Sequence, residues 1–350
     1  MERVKVLIVD DSQTMRAVVK AVLRADPQID VVGEAADPYE ARDAIKALNP
    51  DVLTLDIEMP RMSGLEFLEK IMKLRPMPVV MVSSLTQKGA KDSIEALSMG
   101  AFECVGKPTG GDTVKALSHL PGIVRAAAKY RPQGMTDHTP TVDPSLASFK
   151  PNKKIIAIGS STGGVEALLK LLSGFPENCP PTIITQHMPP AFLKSFAERL
   201  NNTVAPKVAT ATEGAPLRVG QIYIAPGGAY HMQITGRVSP VCKLIEGDPV
   251  SGHRPSVDVM FKSVETILGG RAIAMLLTGM GRDGAKGLLG IRNAKGYTIA
   301  QDEASSTVYG MARVAKELGG VDIELPLTKI TAKVMSLCDI NTTSKMRHSA

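Results

Sequence analysis

Residues 4–12, VKVLIVDDS, run from an apolar, Val-rich segment directly into two adjacent carboxylates, Asp10 and Asp11. Short segments rich in Val, Ile and Leu favour buried β-strands. Four further strand-like runs follow, at Val31–Val32, Val52–Leu55, Val79–Val82 and Phe102–Val105. Helix-like stretches separate these runs, at Thr14–Arg24, Tyr39–Leu48, Gly64–Leu74, Lys88–Met99 and Thr113–Tyr130. The alternation predicts an α/β domain whose parallel sheet is covered by helices on both faces.

The same alternation begins again at Lys154. The predicted strands are Ile155–Ile158, Thr182–Thr185, Ala272–Leu277 and Tyr297–Ala300, and the predicted helices are Val165–Leu172, Ala191–Leu200, Val257–Leu268 and Ala285–Ala294. Two runs, Gln221–Ala225 and Tyr230–Thr235, predict an antiparallel hairpin beside a doubly wound, mostly parallel sheet. Residues 131–152 hold four prolines and no apolar period, which predicts a linker. We therefore expect one domain over residues 1–130 and a second over residues 153–345.

Length and composition limit the class of protein. A chain of 350 residues is long enough for two domains, and 44% apolar with 22% charged residues is typical of folded globular proteins. No apolar run approaches the ~18 residues of a membrane span, and the amino terminus has the pattern of a first strand rather than a secretory signal. We expect a cytoplasmic protein without membrane insertion. The four widely spaced cysteines are then expected to be reduced thiols.

The net charge of +6 is unevenly distributed along the chain. Residues 1–110 hold 14 Lys and Arg against 17 Asp and Glu, whereas residues 153–350 hold 22 against 15. The basic residues of the second half are scattered, without an arginine-rich block or interleaved aromatic residues. This pattern indicates a mildly basic face for an acidic protein partner and argues against a nucleic-acid surface.

Polar side chains follow four of the predicted strands in the first domain. Asp10 and Asp11 follow the first strand, Asp56 the third, Ser83 the fourth and Lys107 the fifth. Ligands gather at the carboxyl ends of parallel strands, so these side chains are expected to converge. Carboxylates with room for water suit Mg²⁺, which would screen a phosphoryl group attacked by one carboxylate. One Asp after a strand is more often a helix cap, but five such side chains indicate a cation–phosphate site.

In the second domain a strand runs into Gly159–Gly164, GSSTGG, before a helix begins. Such a turn either cradles a phosphate or exposes a nucleophile beside free helix N–H groups. The turn lacks the lysine of a Walker loop and the GxGxxG spacing, whereas Gly159–Gly163 match G-x-S-x-G with Ser161 at the centre. A glycine- and serine-rich turn without a catalytic role remains the alternative.

A nucleophilic serine needs a base and a residue that orients the base. His187 and Asp283 each follow a predicted strand, so both are expected at the sheet edge that carries Ser161. Taken singly, a structural imidazole and a helix cap are the alternatives for these two residues. His253, in a loop, is the alternative base. The chain order Ser, His, Asp differs from that of α/β hydrolases and indicates an independent serine hydrolase on a related layered fold.

Residues 3–130 resemble a two-component receiver domain, which has a flavodoxin-like (βα)5 fold. The matching motifs are VDDS at 9–12, TLDIEMPRMSG at 54–64, MVSS at 81–84 and GKP at 106–108. The resemblance implies that Asp56 is the phosphoacceptor and that Ser83 and Lys107 sense the phosphoryl group. It also implies that Asp10, Asp11, Asp56 and the main-chain carbonyl of Glu58 hold Mg²⁺. Receivers often carry a switching aromatic residue three positions before the lysine, where this chain has Cys104.

Residues 153–340 resemble the catalytic domain of chemotaxis protein-glutamate methylesterases. The matching motifs are AIGSSTGG at 157–164, ITQHMPP at 184–190, APGG at 225–228, RPSVDVMF at 254–261 and LLTGMGRDGAKGL at 276–288. By this resemblance Ser161 is the nucleophile, His187 the general base and then acid, and Asp283 its orienting residue. Thr162 and Met280 belong to the site, through backbone donors to the oxyanion. Where relatives commonly have alanine this chain has Ser160, which we interpret as a bystander.

The two resemblances together predict a phosphorylation-activated esterase that needs no cofactor for its ester chemistry. Its expected substrates are glutamate methyl esters on methyl-accepting chemotaxis receptors, with release of methanol, and deamidation of receptor glutamines is an expected second activity. A chemotaxis histidine kinase is the expected phosphodonor, and the unphosphorylated receiver is expected to cover the hydrolase cleft. The alternatives are a DNA-binding output, which requires a recognition helix after the linker, and a non-catalytic receptor-binding adaptor.

Overall fold

The structure is a computed structural model that describes residues 3–84, 86–108, 113–132, 146 and 148–341. The chain divides between Asp137 and His138 into two compact units. The division falls within the predicted linker, of which residues 133–145 and 147 lie outside the described residues, as do residues 342–345 of the predicted second domain. Within the described ranges, no helix has the length and apolar character needed to cross a bilayer.

The first unit is built on a five-stranded parallel sheet with the strand order β2-β1-β3-β4-β5. The strands are β1 (Val4–Val9), β2 (Ile29–Ala35), β3 (Val52–Asp56), β4 (Val79–Ser83) and β5 (Glu103–Gly106). The strand order reverses direction between β1 and β3, and this is the flavodoxin-like arrangement in which ligands bind at the carboxyl ends of the strands. The predicted fold of this half is confirmed.

Among the described residues of the first unit, six α-helices alternate with or follow the strands. They are α1 (Gln13–Arg24), α2 (Pro38–Leu48), α3 (Gly64–Leu74), α4 (Gln87–Ser98), α5 (Thr113–Ala116) and α6 (Leu120–Ala127). The prediction of a single helix over Thr113–Tyr130 is wrong, because the helix breaks ahead of Pro121. The proline ring collides with the carbonyl four residues earlier in a continuous helix, and the Leu120 N–H instead closes a tight turn on the Leu117 carbonyl (2.9 Å).

The second unit contains a seven-stranded, fully parallel sheet with the order β14-β13-β12-β6-β7-β9-β8. Its strands are β6 (Ile155–Ser160), β7 (Thr182–Gln186), β8 (Lys207–Thr210), β9 (Gln221–Ile224), β12 (Ala272–Leu276), β13 (Tyr297–Gln301) and β14 (Ile323–Leu325). The chain winds outward from β6 in one direction and resumes at β12 in the other. The point of reversal therefore lies between β6 and β12, and this is where doubly wound folds place their sites.

The predicted hairpin exists, but the strand pairing predicted for it is wrong. Gln221–Ile224 is a strand of the main sheet, where β9 pairs parallel with both β7 and β8. The antiparallel hairpin is formed instead by β10 (Tyr230–Thr235) and β11 (Val241–Glu246), which stand apart as a two-stranded sheet. The Pro-Gly-Gly segment is thus the exit from the main sheet, and the turn of the hairpin comes one strand later.

In the described part of the second unit, six α-helices form two groups. They are α7 (Gly164–Leu172), α8 (Pro190–Thr203), α9 (Val257–Leu268), α10 (Ala285–Asn293), α11 (Met311–Glu317) and α12 (Leu327–Cys338). Helix α7 packs with α8 and α12, whereas α10 packs with α9 and α11. One buried cluster joins Phe261 of α9, Leu288 of α10 and Met232 of the hairpin. Every residue of β6, β7 and β12 is buried, as a sheet covered on both faces requires.

Candidate functional site

Three carboxylates meet at the carboxyl ends of β1 and β3. Asp10, Asp11 and Asp56 each place an oxygen within 4.8 Å of the others. Asp10 and Asp56 are 3% and 2% exposed, while Asp11 is open to solvent. Oδ2 of Asp10 and Oδ2 of Asp56 are both buried and both face the ammonium of Lys107. Three converging carboxylates, one of them open to solvent, are hard oxygen donors that fit a divalent cation which keeps some of its water.

Lys107 bridges the two buried carboxylates of this cluster. Its Nζ lies 2.7 Å from Oδ2 of Asp56 and 3.0 Å from Oδ2 of Asp10, in ion pairs without hydrogen-bond alignment. Burial raises the pKa of Asp56 to about 6, and the ammonium of Lys107 offsets only part of this effect. The ammonium is thus held beside a buried carboxylate oxygen of Asp56.

The structure places the other predicted receiver residues as follows. The main-chain N–H of Glu58 donates to Oδ1 of Asp56 at 3.3 Å, so this residue adjoins the cluster through its backbone. The Ser83 hydroxyl is fully buried and donates to the carbonyls of Gly89 (3.2 Å) and Ser84 (3.3 Å) rather than to the carboxylates. Cys104 is buried against α4, where its Sγ donates to the carbonyl of Ser93 at 3.3 Å.

In the second unit Ser161 is the first residue after β6, on a turn that is held on both sides. Its N–H donates to the carbonyl of Thr278 (3.0 Å), and its carbonyl accepts from the N–H of Gly164 (2.7 Å). Gly163 has φ 76°, a left-handed conformation that lets the chain turn sharply from strand into helix. A Cβ on Gly279 would lie 2.7 Å from that of Ser161, so only glycine allows this close approach.

His187 lies directly beside this turn, at the end of the neighbouring strand. The last paired residues of β6 and β7 are Ser160 and Gln186. Ser161 follows β6 and His187 follows β7, so the two residues lie at the same level of the sheet. The His187 N–H donates to the carbonyl of Ser160 at 3.1 Å. On its side chain, Nε2 is 2.8 Å from Oδ2 of Asp283, whereas Nδ1 is buried without a partner among the described residues.

Asp283 is 1% exposed, and both of its oxygens accept hydrogen bonds. Oδ1 accepts from the Ser256 hydroxyl (2.8 Å) and the Asp258 N–H (3.1 Å), and Oδ2 accepts from His187 and from the Val257 N–H (2.7 Å). Burial raises the pKa of Asp283, but these donors, led by His187, outweigh it and leave the pKa below its usual value. The carboxylate is therefore ionised and fixed, which keeps the proton of His187 on Nε2 and leaves Nδ1 as the basic atom.

His253, the alternative base, lies flat against His187. The two ring centroids are 3.7 Å apart and the ring planes differ by 5°. The stacked ring covers one face of His187, so the structure brings the two imidazoles together.

Thr162 and Met280 flank the turn that carries Ser161. Thr162 is 5% exposed, and its carbonyl accepts from the Thr278 hydroxyl at 3.0 Å. Met280 follows Gly279, which contacts Ser161. Within the described ranges, the main-chain N–H groups of Thr162 and Met280 donate to no main-chain carbonyl.

The sequence alone does not identify Ser256 and Gln186 as residues that hold the site, and it indicates Ser160 only as a bystander. Ser256 caps α9 and donates to Asp283 with the same hydroxyl. Gln186 and Ser160 share a buried hydrogen bond of 2.6 Å next to the turn. Their adjacency to His187 and Ser161 was the only available signal, since side-chain pairing across strands depends on register, which the sequence does not display.

A receiver domain joined to a doubly wound unit with a serine, histidine and aspartate at its switch point defines a response regulator with an enzymatic output. Two family models match the chain, CheB methylesterase over residues 156–334 and response regulator receiver domain over residues 6–118. The chain therefore belongs to the CheB methylesterase family. The DNA-binding alternative is not supported, because the methylesterase model matches the region where that output would lie.

Similar proteins span nearly the full chain. A protein-glutamate methylesterase/protein-glutamine glutaminase of Agrobacterium fabrum is 56% identical over 341 residues, covering 95% of this chain and 96% of its own length. A homologue of the same description from Caulobacter vibrioides is 53% identical over 339 residues, covering 96% and 98%. The crystal structure of the Thermotoga maritima CheB methylesterase catalytic domain covers 53% of this chain and 98% of that chain, with 38% identity and a TM-score of 0.51.

Proposed function

We propose that this protein is a phosphorylation-activated esterase that hydrolyses glutamate methyl esters on methyl-accepting chemotaxis receptors and deamidates receptor glutamines. Full-length relatives described as methylesterase/glutaminase support the substrate class. The single observation that carries the proposal is the contact of His187 Nε2 with Asp283 at the sheet edge where Ser161 directly follows the adjoining strand. Nδ1 of His187 has no hydrogen-bond partner among the described residues, so in this proposal it is the atom that accepts the proton of the nucleophile.

In this proposal Ser161 Oγ attacks the γ-carbonyl carbon of the ester, and Nδ1 of His187 takes the hydroxyl proton. The carbonyl oxygen becomes an anion that the N–H groups of Thr162 and Met280 bind. His187 then returns the proton to the leaving oxygen, which departs as methanol and leaves an acyl-enzyme. Water, deprotonated by Nδ1, attacks the acyl carbon and frees the glutamate and Ser161. With a glutamine side chain the same steps release ammonia instead of methanol.

The receiver supplies the control in this proposal. Asp56 is the phosphoacceptor, and Asp10, Asp11, Asp56 and the carbonyl of Glu58 would hold Mg²⁺. When bound, that cation screens the negative charge of the phosphodonor and of the acyl phosphate. Lys107 neutralises a phosphoryl oxygen, and the Ser83 hydroxyl leaves the Gly89 carbonyl to bind another. A chemotaxis histidine kinase is the proposed donor, in the cytoplasm, where the four cysteines stay reduced.

The test is methanol release from receptor-containing membranes that carry radioactive methyl esters, with and without a small phosphodonor. We expect Ser161→Ala to lose on the order of 10⁴ or more in kcat, because it removes the nucleophile of a cooperating triad. Ser336→Ala, on an exposed hydroxyl that donates to the local Lys333 carbonyl, is the matched control and is expected to keep full activity.

Two results would contradict the proposal in different ways. Near-normal turnover by Ser161→Ala rejects the nucleophile. A wild-type chain that binds the membranes but releases no methanol from them, with or without phosphodonor, favours the non-catalytic adaptor instead.

A further inference from the structure

The last residue pair between β6 and β7 consists of two buried polar residues. Ser160 is fully buried and Gln186 is 2% exposed, and the Ser160 hydroxyl donates to Oε1 of Gln186 at 2.6 Å. A serine and a glutamine so deep in a sheet are costly to bury unless every polar atom is satisfied. The pair lies directly before Ser161 and His187, so we ask what these two buried polar side chains do for the site.

The amide nitrogen of Gln186 binds the main chains of Ser161 and His187, the proposed nucleophile and base. Nε2 donates to the carbonyl of Ser161 at 2.9 Å and to the carbonyl of His187 at 3.1 Å. Both carbonyls can only accept, so they require the NH2 group on their side. The Ser160 hydroxyl, by donating to Oε1, holds the amide in this one orientation.

These bonds bridge the gap where the sheet ladder has ended. Regular pairing stops at Ser160 and Gln186, yet Ser161 and His187 lie one residue further along. One amide group joined to both carbonyls sets the spacing between the two main chains at that level. The His187 N–H, donating to the Ser160 carbonyl at 3.1 Å, closes the same ring of contacts.

The Gln186 side chain also has no free space into which to move. A Cβ on Gly164 would lie 2.0 Å from Oε1 of Gln186 and 2.9 Å from Cβ of Ser160. The start of α7 thus presses the amide against the sheet. The amide is fixed by packing as well as by hydrogen bonds.

We propose that Gln186, oriented by Ser160, is a positioning residue that sets the distance between the nucleophile Ser161 and the base His187. The inference rests on the proposed function. Ser160 is then a working part of this clamp and not a bystander beside the nucleophile. Misplacement of reacting groups by about 1 Å costs on the order of 10²-fold in rate, so the clamp acts on kcat.

The test compares Gln186→Met, Gln186→Glu and Ser160→Ala in the full chain, with the methanol-release assay and the labelling rate of Ser161 by a fluorophosphonate. Methionine keeps the length of the side chain without donors, and a glutamate carboxylate turns an acceptor toward two carbonyls. We expect both changes at Gln186 to lower kcat and the labelling rate by about 10- to 100-fold with KM unchanged. Ser160→Ala removes one hydrogen bond and is expected to cost about 3- to 10-fold.

A double-mutant cycle tests whether Ser160 acts through Gln186. In the Gln186→Met background, Ser160→Ala should change kcat by less than about twofold, because the amide that it orients is already gone. If Gln186→Met does not fold, as judged by its melting curve, Ser160→Ala and Gln186→Glu carry the test. Ser336→Ala is the matched control for the loss of a hydroxyl.

The outcomes separate the clamp from the proposed function. An active wild-type chain whose folded variants at Gln186 keep full kcat and labelling rate overturns the clamp alone. A change in KM as large as the change in kcat also overturns the clamp. So does a double mutant in which the effects of Ser160→Ala and Gln186→Met on kcat are fully additive. A wild-type chain that neither labels at Ser161 nor releases methanol overturns the proposed function and the clamp with it.

Discussion

The imidazole ring of His253 lies parallel to that of His187, with ring centroids 3.7 Å apart. A stacked neighbour restricts rotation of the His187 ring about its side-chain bonds. The relationship also separates two roles for His253. A positioning ring can be replaced by another flat ring, whereas a general base cannot.

We therefore expect His253→Phe to keep kcat within about threefold of the wild type and His253→Ala to lose about 3- to 10-fold, because the His187 ring then loses the neighbour that holds its orientation. The measurement is kcat for methanol release. His187→Ala, which removes the proposed base, should lose on the order of 10⁴ and sets the scale. A loss by His253→Phe as large as that of His187→Ala would show that His253 transfers the proton.

Gly279 is expected to accept no side chain. Its Cβ would lie 2.7 Å from Cβ of Ser161 and 2.3 Å from Sδ of Met311, and while the methionine can move aside, the turn of the nucleophile cannot move without losing its geometry. We expect Gly279→Ala to lower kcat by about 100-fold. Gly247→Ala is the control, because its Cβ would meet the His231 ring at an ordinary 3.5 Å. Equal activity of the two variants would contradict the close approach.

The lowered pKa of Asp283 predicts a pH-dependent stability. The pKa of this carboxyl is lower in the folded than in the unfolded chain, so the ionised group stabilises the fold above about pH 4, and this stabilisation is lost as the pH falls through the folded value. We expect Asp283→Asn to lower the urea midpoint at neutral pH, with the difference from wild type shrinking below about pH 4. Asp43→Asn, on an exposed carboxylate, should show no such trend. A difference that stays constant into acid would reject the assignment.

The carboxylate cluster of the receiver predicts a metal-dependent phosphorylation. We expect the wild-type chain to take up phosphate from a small phosphodonor in the presence of Mg²⁺ and to lose most of this uptake when a chelator removes the metal, because three converging carboxylates repel the donor without a cation. Asp56→Asn should abolish uptake under all conditions, and Asp43→Asn should not affect it. The readout is the phosphorylated fraction by mass or by gel mobility. Uptake by Asp56→Asn equal to wild type would place the phosphoacceptor elsewhere.

Much of the molecule follows from local patterns in the chain. The run VKVLIVDDS and the turn GSSTGG mark strand ends by themselves, because apolar β-branched residues favour strands and glycines or carboxylates stop them. The carboxyl ends of parallel strands share one edge, so Asp10, Asp56 and Lys107 could be expected together without knowing a distance. The hairpin shows what local patterns do not determine, because a strand-like run does not reveal which strand it pairs with. Gln221–Ile224 is predicted to pair in the hairpin, but it lies in the main sheet.

The sequence by itself determined the α/β class, the two domains and the residues that carry the proposed chemistry, because each depends on residues close in the chain or on a general rule about sheet edges. The tertiary structure alone decided that His253 stacks on His187, that Ser256 donates to Asp283 and that Gln186 joins the carbonyls of Ser161 and His187. Those contacts depend on strand register and on side-chain rotamers, and both are set by packing between segments far apart in the chain.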